Sequence, residues 1–68
     1  MEVIEMKYMV ITFKEMQKIL KKNGYRLDRQ NGDHFVYIKE HHNHISINRK
    51  LNPMVARRLV KENGLIIE

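Results

Sequence analysis

The chain contains no cysteine. Disulfides and cysteine-ligated zinc sites are therefore excluded, and the missing staples fit the reducing cytoplasm. No apolar run approaches the ~20 residues that span a bilayer. The stretch Met1 to Val10 carries Glu2, Glu5 and Lys7 in place of the unbroken apolar core of a signal peptide. These absences lead to the expectation of a cytoplasmic protein without membrane association. Acidic residues are scarce: eight Asp and Glu stand against thirteen Lys and Arg, a net charge of +5. Such a field favours a polyanion such as nucleic acid, or an acidic protein partner. Net charges of about 2–8 also occur on small domains for solubility alone.

At 68 residues the chain is one domain. Chains this small bury only about 60 % of their unfolded surface, so a shallow site or an interface is expected rather than an enclosed pocket. Met6 and Met9 are alternative starts. Residues 1–9 accordingly read as an N-terminal extension and 10–68 as the folded unit.

Thr12 followed by Glu15 is a capping box that opens a helix. Phe13, Met16, Ile19 and Leu20 recur along it at helical spacing, and Asn23-Gly24 stops it. The period then changes. Tyr25 and Leu27 alternate with Arg26 and Asp28. Asn31-Gly32 marks a hairpin turn, because both residue types accept positive φ. The run from His34 to Lys39 is rich in β-branched and aromatic residues, and His41-His42-Asn43 reads as a second turn. His44-Ile45-Ser46-Ile47-Asn48 alternates as a strand. Asn52-Pro53 caps and starts a last helix with an apolar stripe of Val55, Ala56, Leu59 and Val60. Gly64 ends it, and Leu65-Ile66-Ile67 either packs back on the domain or meets a partner. The expected fold is α+β, ordered α-β-β-β-α, with two helices on one face of a three-stranded antiparallel sheet.

With Asn31 and Gly32 as the two loop residues, Arg29 pairs with His34, Leu27 with Val36 and Tyr25 with Ile38. Tyr25, Leu27, Val36 and Ile38 then lie under the helices, with Arg29 and His34 at the rim of that face. Phe35 and Tyr37 fall on the open face, flanked by Arg26 and Lys39. There they stack unpaired bases, form a cross-strand aromatic pair, or contact a partner protein or another copy of the chain. Lys14, Lys18 and Lys21, and Arg57, Arg58 and Lys61, form basic helix surfaces for phosphates or for water. His41-x-x-His44 offers two metal ligands where zinc needs three or four. Even with Glu40 nearby, an incidental turn is the better reading, and no metal site is assigned.

The element order, the segment Leu20-Lys21-Lys22-Asn23-Gly24-Tyr25, the motif Arg29-Gln30-x-Gly32-x-His34 and the closing Arg58-Leu59-Val60-Lys61-Glu62-Asn63-Gly64-Leu65 together resemble the HicA toxins. These are small YcfA-like mRNA interferases with a double-stranded-RNA-binding-domain-like fold. The resemblance covers about residues 10–66. It implies an endoribonuclease of a toxin–antitoxin pair, with mRNA as substrate and a HicB-like antitoxin as protein partner. It also implies a catalytic histidine at the hairpin exit, the position of His34. Two positions depart from the family pattern. Asp33 stands where a small hydroxyl residue is usual, and Ile47-Asn48-Arg49-Lys50 replaces a Pro-x-His element after the third strand.

RNA cleavage without a metal or cofactor needs a base for the 2′-hydroxyl, an acid for the leaving 5′-oxygen, and cations for the phosphorane. Histidine titrates in the range such chemistry requires. The resulting expectation is His34 as acid/base and Arg29 as phosphate clamp, with Lys22 and Lys39 as further RNA contacts and Gly32 letting the backbone approach the phosphate. The other reading of His34 is a strand-end residue packed on Leu27 or Val36. A non-catalytic RNA-binding module of the same fold, and a small protein serving only an acidic partner, are the competing functions.

Overall fold

A computed structural model describes residues 11–67; the expected extension over 1–9 lies outside the described residues. The elements are α1 (Phe13–Lys22), β1 (Arg26–Asn31), β2 (His34–Ile38), β3 (Ile45–Asn48) and α2 (Pro53–Glu62). The strands form one antiparallel meander in the order β1-β2-β3. The architecture is the α-β-β-β-α arrangement expected from the sequence.

Both helices start where their caps dictate. The Thr12 hydroxyl accepts from the Glu15 N–H at 3.2 Å, and the Glu15 carboxylate accepts from the Thr12 N–H at 3.3 Å. Two orphan donors of the first turn are thereby satisfied. At α2 the Asn52 side chain accepts from the Met54 N–H at 2.7 Å, with Pro53 beginning the helix. The apolar tail packs back. Leu65 is buried, and Ile67 lies against the core. The Asn23 side chain brackets the Ile66 backbone with two hydrogen bonds of 2.9 Å, joining the end of α1 to the segment after α2.

One core joins both helices to one face of the sheet. Met16, Ile19 and Leu20 come from α1, Ala56 and Val60 from α2, and Phe35, Tyr37, Ile45 and Ile47 from the strands. Phe13 of α1 meets Phe35 with ring centroids 4.9 Å apart, and Gln17 Nε2 donates to the Tyr37 hydroxyl at 3.0 Å.

This packing corrects the expected register. The loop residues are Gly32 and Asp33, not Asn31 and Gly32: Asn31 pairs with His34, Gln30 with Phe35 and Arg29 with Val36. Gly32 has φ +63° and Asp33 does not have positive φ, which fits a II′ turn with glycine in its first loop position. Leu27 and Arg29 face consecutive β2 residues, Tyr37 and Val36, so Asp28 is the extra residue of a β-bulge. The pairing beside the turn is shifted by two residues, so Arg29 and His34 stay on one face; what reverses is the face of β2 that the helices cover. Phe35 and Tyr37, expected in the open, are buried at 6 % and 1 % exposure, whereas Leu27, expected under the helices, is 43 % exposed. Both faces of β2 are apolar, so alternation alone does not choose between them. The larger aromatic surfaces gain more from cover, and β2–β3 pairing aligns them with Ile47 and Ile45.

Candidate functional site

His34 opens β2 directly after the Gly32-Asp33 turn. Its strand neighbour Phe35 points into the core, so the imidazole projects from the open face of the sheet, away from the helices. The expected placement at the rim of the covered face is thereby corrected. Its Cα partners are Asn31 on β1 and Asn48 on β3. His34 is exposed, and no side-chain hydrogen bond or ion pair engages its imidazole among the described residues.

A groove of about 490 Å³ runs from His34 across the β3 edge to the start of α2. Ser46, Asn48, Lys50, Leu51, Asn52 and Val55 line it beside His34 and Ile47. It offers one imidazole, one ammonium and several neutral hydrogen-bonding groups over a short apolar floor. It is open to solvent, as expected for a chain too small to enclose a substrate.

Arg29 shares the open face with His34 but not its rung. It pairs with Val36, so the two side chains are diagonal neighbours. Arg29 Nε lies 3.7 Å from an Asp28 carboxylate oxygen in a well-exposed pair, which leaves the guanidinium accessible to another anion. A Cβ added at Gly32 would meet nothing within 4 Å, so the turn is open to approach from outside.

Lys22 and Lys39 lie elsewhere. Lys39 follows the far end of β2, about 17 Å from His34 at ~3.3 Å per strand residue. Its Nζ sits 5.3 Å from the Tyr25 ring centroid, and its Cε lies 3.4 Å from where a Gly24 Cβ would be. Lys22 ends α1 at that same end of the sheet. The structure therefore gathers His34, Gly32 and Arg29 and separates them from Lys22 and Lys39.

His42 of the second turn serves local structure. His42 Nδ1 lies 2.8 Å from the Glu40 carbonyl oxygen, and its ring meets Tyr25 edge-on. His41 takes φ +67° in the turn. Among the described residues no three His, Cys, Asp or Glu side chains gather to hold a metal ion.

Sequence reasoning missed Lys50, Ser46, Asn48 and Arg49. Alternation in β3 already set Ser46 and Asn48 opposite Ile45 and Ile47, but only β2–β3 pairing brings Asn48 beside His34. Arg49 belongs to the turn itself: its Nε donates to Asp33 Oδ1 at 3.3 Å and its N–H to the Asp33 carbonyl at 2.8 Å.

The molecule is thus a small α+β domain with helices on one sheet face and a solvent-open, histidine-bearing groove that runs from the other face across the β3 edge. A family model described as HicA toxin of bacterial toxin–antitoxin systems matches residues 13–65, every described element included, and the chain belongs to that family. No curated protein and no solved structure shows significant similarity to it. No helix among the described residues is long and apolar enough to cross a membrane.

Proposed function

We propose that this toxin acts as an endoribonuclease on single-stranded mRNA, with His34 as its catalytic residue and no metal or cofactor in the reaction. The observation that carries the reading is the exposed imidazole at the exit of a glycine turn, lining a groove that also holds Lys50, inside the segment matched to the toxin family. In the proposed step the 2′-oxygen bonds to phosphorus as the bond to the 5′-oxygen breaks. His34 either accepts the 2′-hydroxyl proton or donates a proton to the leaving 5′-oxygen, and water completes the other transfer. The products are a 2′,3′-cyclic phosphate and a 5′-hydroxyl. Arg29 and Lys50 offset the charge that builds on the phosphorane from either side of His34. Lys22 and Lys39 hold a distant part of the strand, and Gly32 gives the backbone room beside the phosphate.

The protein partner proposed is a HicB-like antitoxin whose acidic surface complements the net charge of +5. The site of action follows as the cytoplasm, where mRNA and antitoxin are found. Purified protein is expected to cleave single-stranded RNA, and His34→Ala to abolish the cleavage. A 5′-phosphate on the downstream fragment, or full activity in His34→Ala, would sink the mechanism. Salt-dependent RNA binding with no cleavage would replace it with the non-catalytic RNA-binding module.

A further inference from the structure

Asp33, on the hairpin turn, and Arg49, just past β3, meet in space beside the candidate histidine. Arg49 extends the β2–β3 ladder one rung past the His34–Asn48 pair, donating its N–H to the Asp33 carbonyl at 2.8 Å. Its Nε then donates to the Asp33 carboxylate at 3.3 Å. The guanidinium also lies over the Phe35 ring, 5.2 Å from its centroid, and 5.9 Å from that of Phe13. Arg49 therefore grips both chain neighbours of His34, Asp33 by charge and Phe35 by its π-face, while the imidazole projects from the other side of the sheet.

We propose that Arg49 is a positioning residue: with Asp33 and Phe35 it forms a latch that fixes the backbone on both sides of His34. This inference rests on the reading of His34 as catalytic. The pair holds the hairpin exit by an ion pair and a ring contact. Both partners are more than half exposed, so the latch adds little to global stability. Its effect is local and geometric, and small displacements of a reacting group are costly to rate.

The test compares Arg49→Ala, Arg49→Lys and the exchanged pair Asp33→Arg with Arg49→Asp, using a short single-stranded RNA. Arg49→Ala is expected to lower kcat about ten- to a hundredfold with KM nearly unchanged. Arg49→Lys recovers part of the loss, and the exchanged pair recovers more than either of its single changes. A rise in KM at constant kcat would overturn the latch and make Arg49 an RNA contact, and unchanged kcat would overturn it outright. Amide hydrogen exchange supplies a readout independent of activity. In Arg49→Ala the amides of His34 and Phe35 are expected to exchange at least about tenfold faster while those of α1 keep their rates. Equal rates at His34 would overturn the latch. If the unaltered protein cleaves nothing, the nuclease reading fails alone, and the exchange data still decide whether the latch exists.

Discussion

The two ends of the sheet carry the same kinds of side chain and use them differently. At the far end a histidine, a lysine and a tyrosine are spent on one another: Lys39 lies over the Tyr25 ring, and His42 meets its edge while bonding to the Glu40 carbonyl. At the hairpin end the arginine and aspartate of the turn pair with each other, and His34 is left facing a groove. A histidine built into local packing is structural. A histidine whose neighbours are all satisfied without it is available for chemistry. The contrast teaches that residue type alone does not mark a site in this chain; His34 is set apart by the groove that its unengaged imidazole lines.

Replacing each histidine in turn tests this difference most sharply. On the proposed function, His34→Ala lowers RNA cleavage by about 10²–10⁴-fold, the usual worth of a positioned acid or base. His42→Ala leaves cleavage within about twofold of the parent and costs about 0.5–1.5 kcal/mol of stability, the weight of one ring contact. Initial rates on a labelled single strand, with thermal melts of the same samples, check both. Equal losses of cleavage at the two positions would erase the distinction between the ends.

Much of the fold was legible because its signals are local. The capping box at Thr12, the Asn52-Pro53 start, the two Asn-Gly stops and the alternation in β3 each act through residues a few positions apart, and each stands where the sequence implies. The register was not legible. Either face of β2 can be buried on apolarity alone, and the choice depends on long-range packing of Phe35 and Tyr37 against α1 and on pairing with Ile47 and Ile45. The bulge at Asp28 has no sequence signal of its own. His34 itself was legible through its turn and its family motif. Its surroundings were not, because Arg49 and Lys50 reach it from beyond β3, and nothing short-range in the sequence ties those residues to the hairpin.

The two turn glycines give a smaller effect and separate conformational demand from space. Gly32 and Gly24 have φ of +63° and +89°. Alanine at either is expected to cost about 1–2 kcal/mol, the penalty of the left-handed region for a residue with a Cβ. A Cβ at Gly32 meets nothing within 4 Å, whereas one at Gly24 lies 3.4 Å from Lys39 Cε. Chemical denaturation should therefore show both losses, and Lys39→Ala should relieve neither, because 3.4 Å to a flexible side chain is an ordinary contact and the cost is conformational. Asn at Gly32 should recover part of the stability, since asparagine tolerates positive φ better than alanine.

The smallest effect concerns the two lysines, and it discriminates best between local and remote contacts to RNA. Lys50 lines the groove beside His34, while Lys39 lies at the other end against Tyr25. One phosphate contact near the reacting bond is expected to be worth a few-fold in KM and to lower the salt slope of RNA binding by about one ion. Lys50→Ala should show both on an RNA of only a few nucleotides. Lys39→Ala should leave that short substrate unaffected and weaken binding only when the strand is long enough to bridge the ~17 Å between the two ends of β2. Equal sensitivity to substrate length at both positions would mean that RNA does not run along the strand direction, and that Lys39 serves Tyr25 alone.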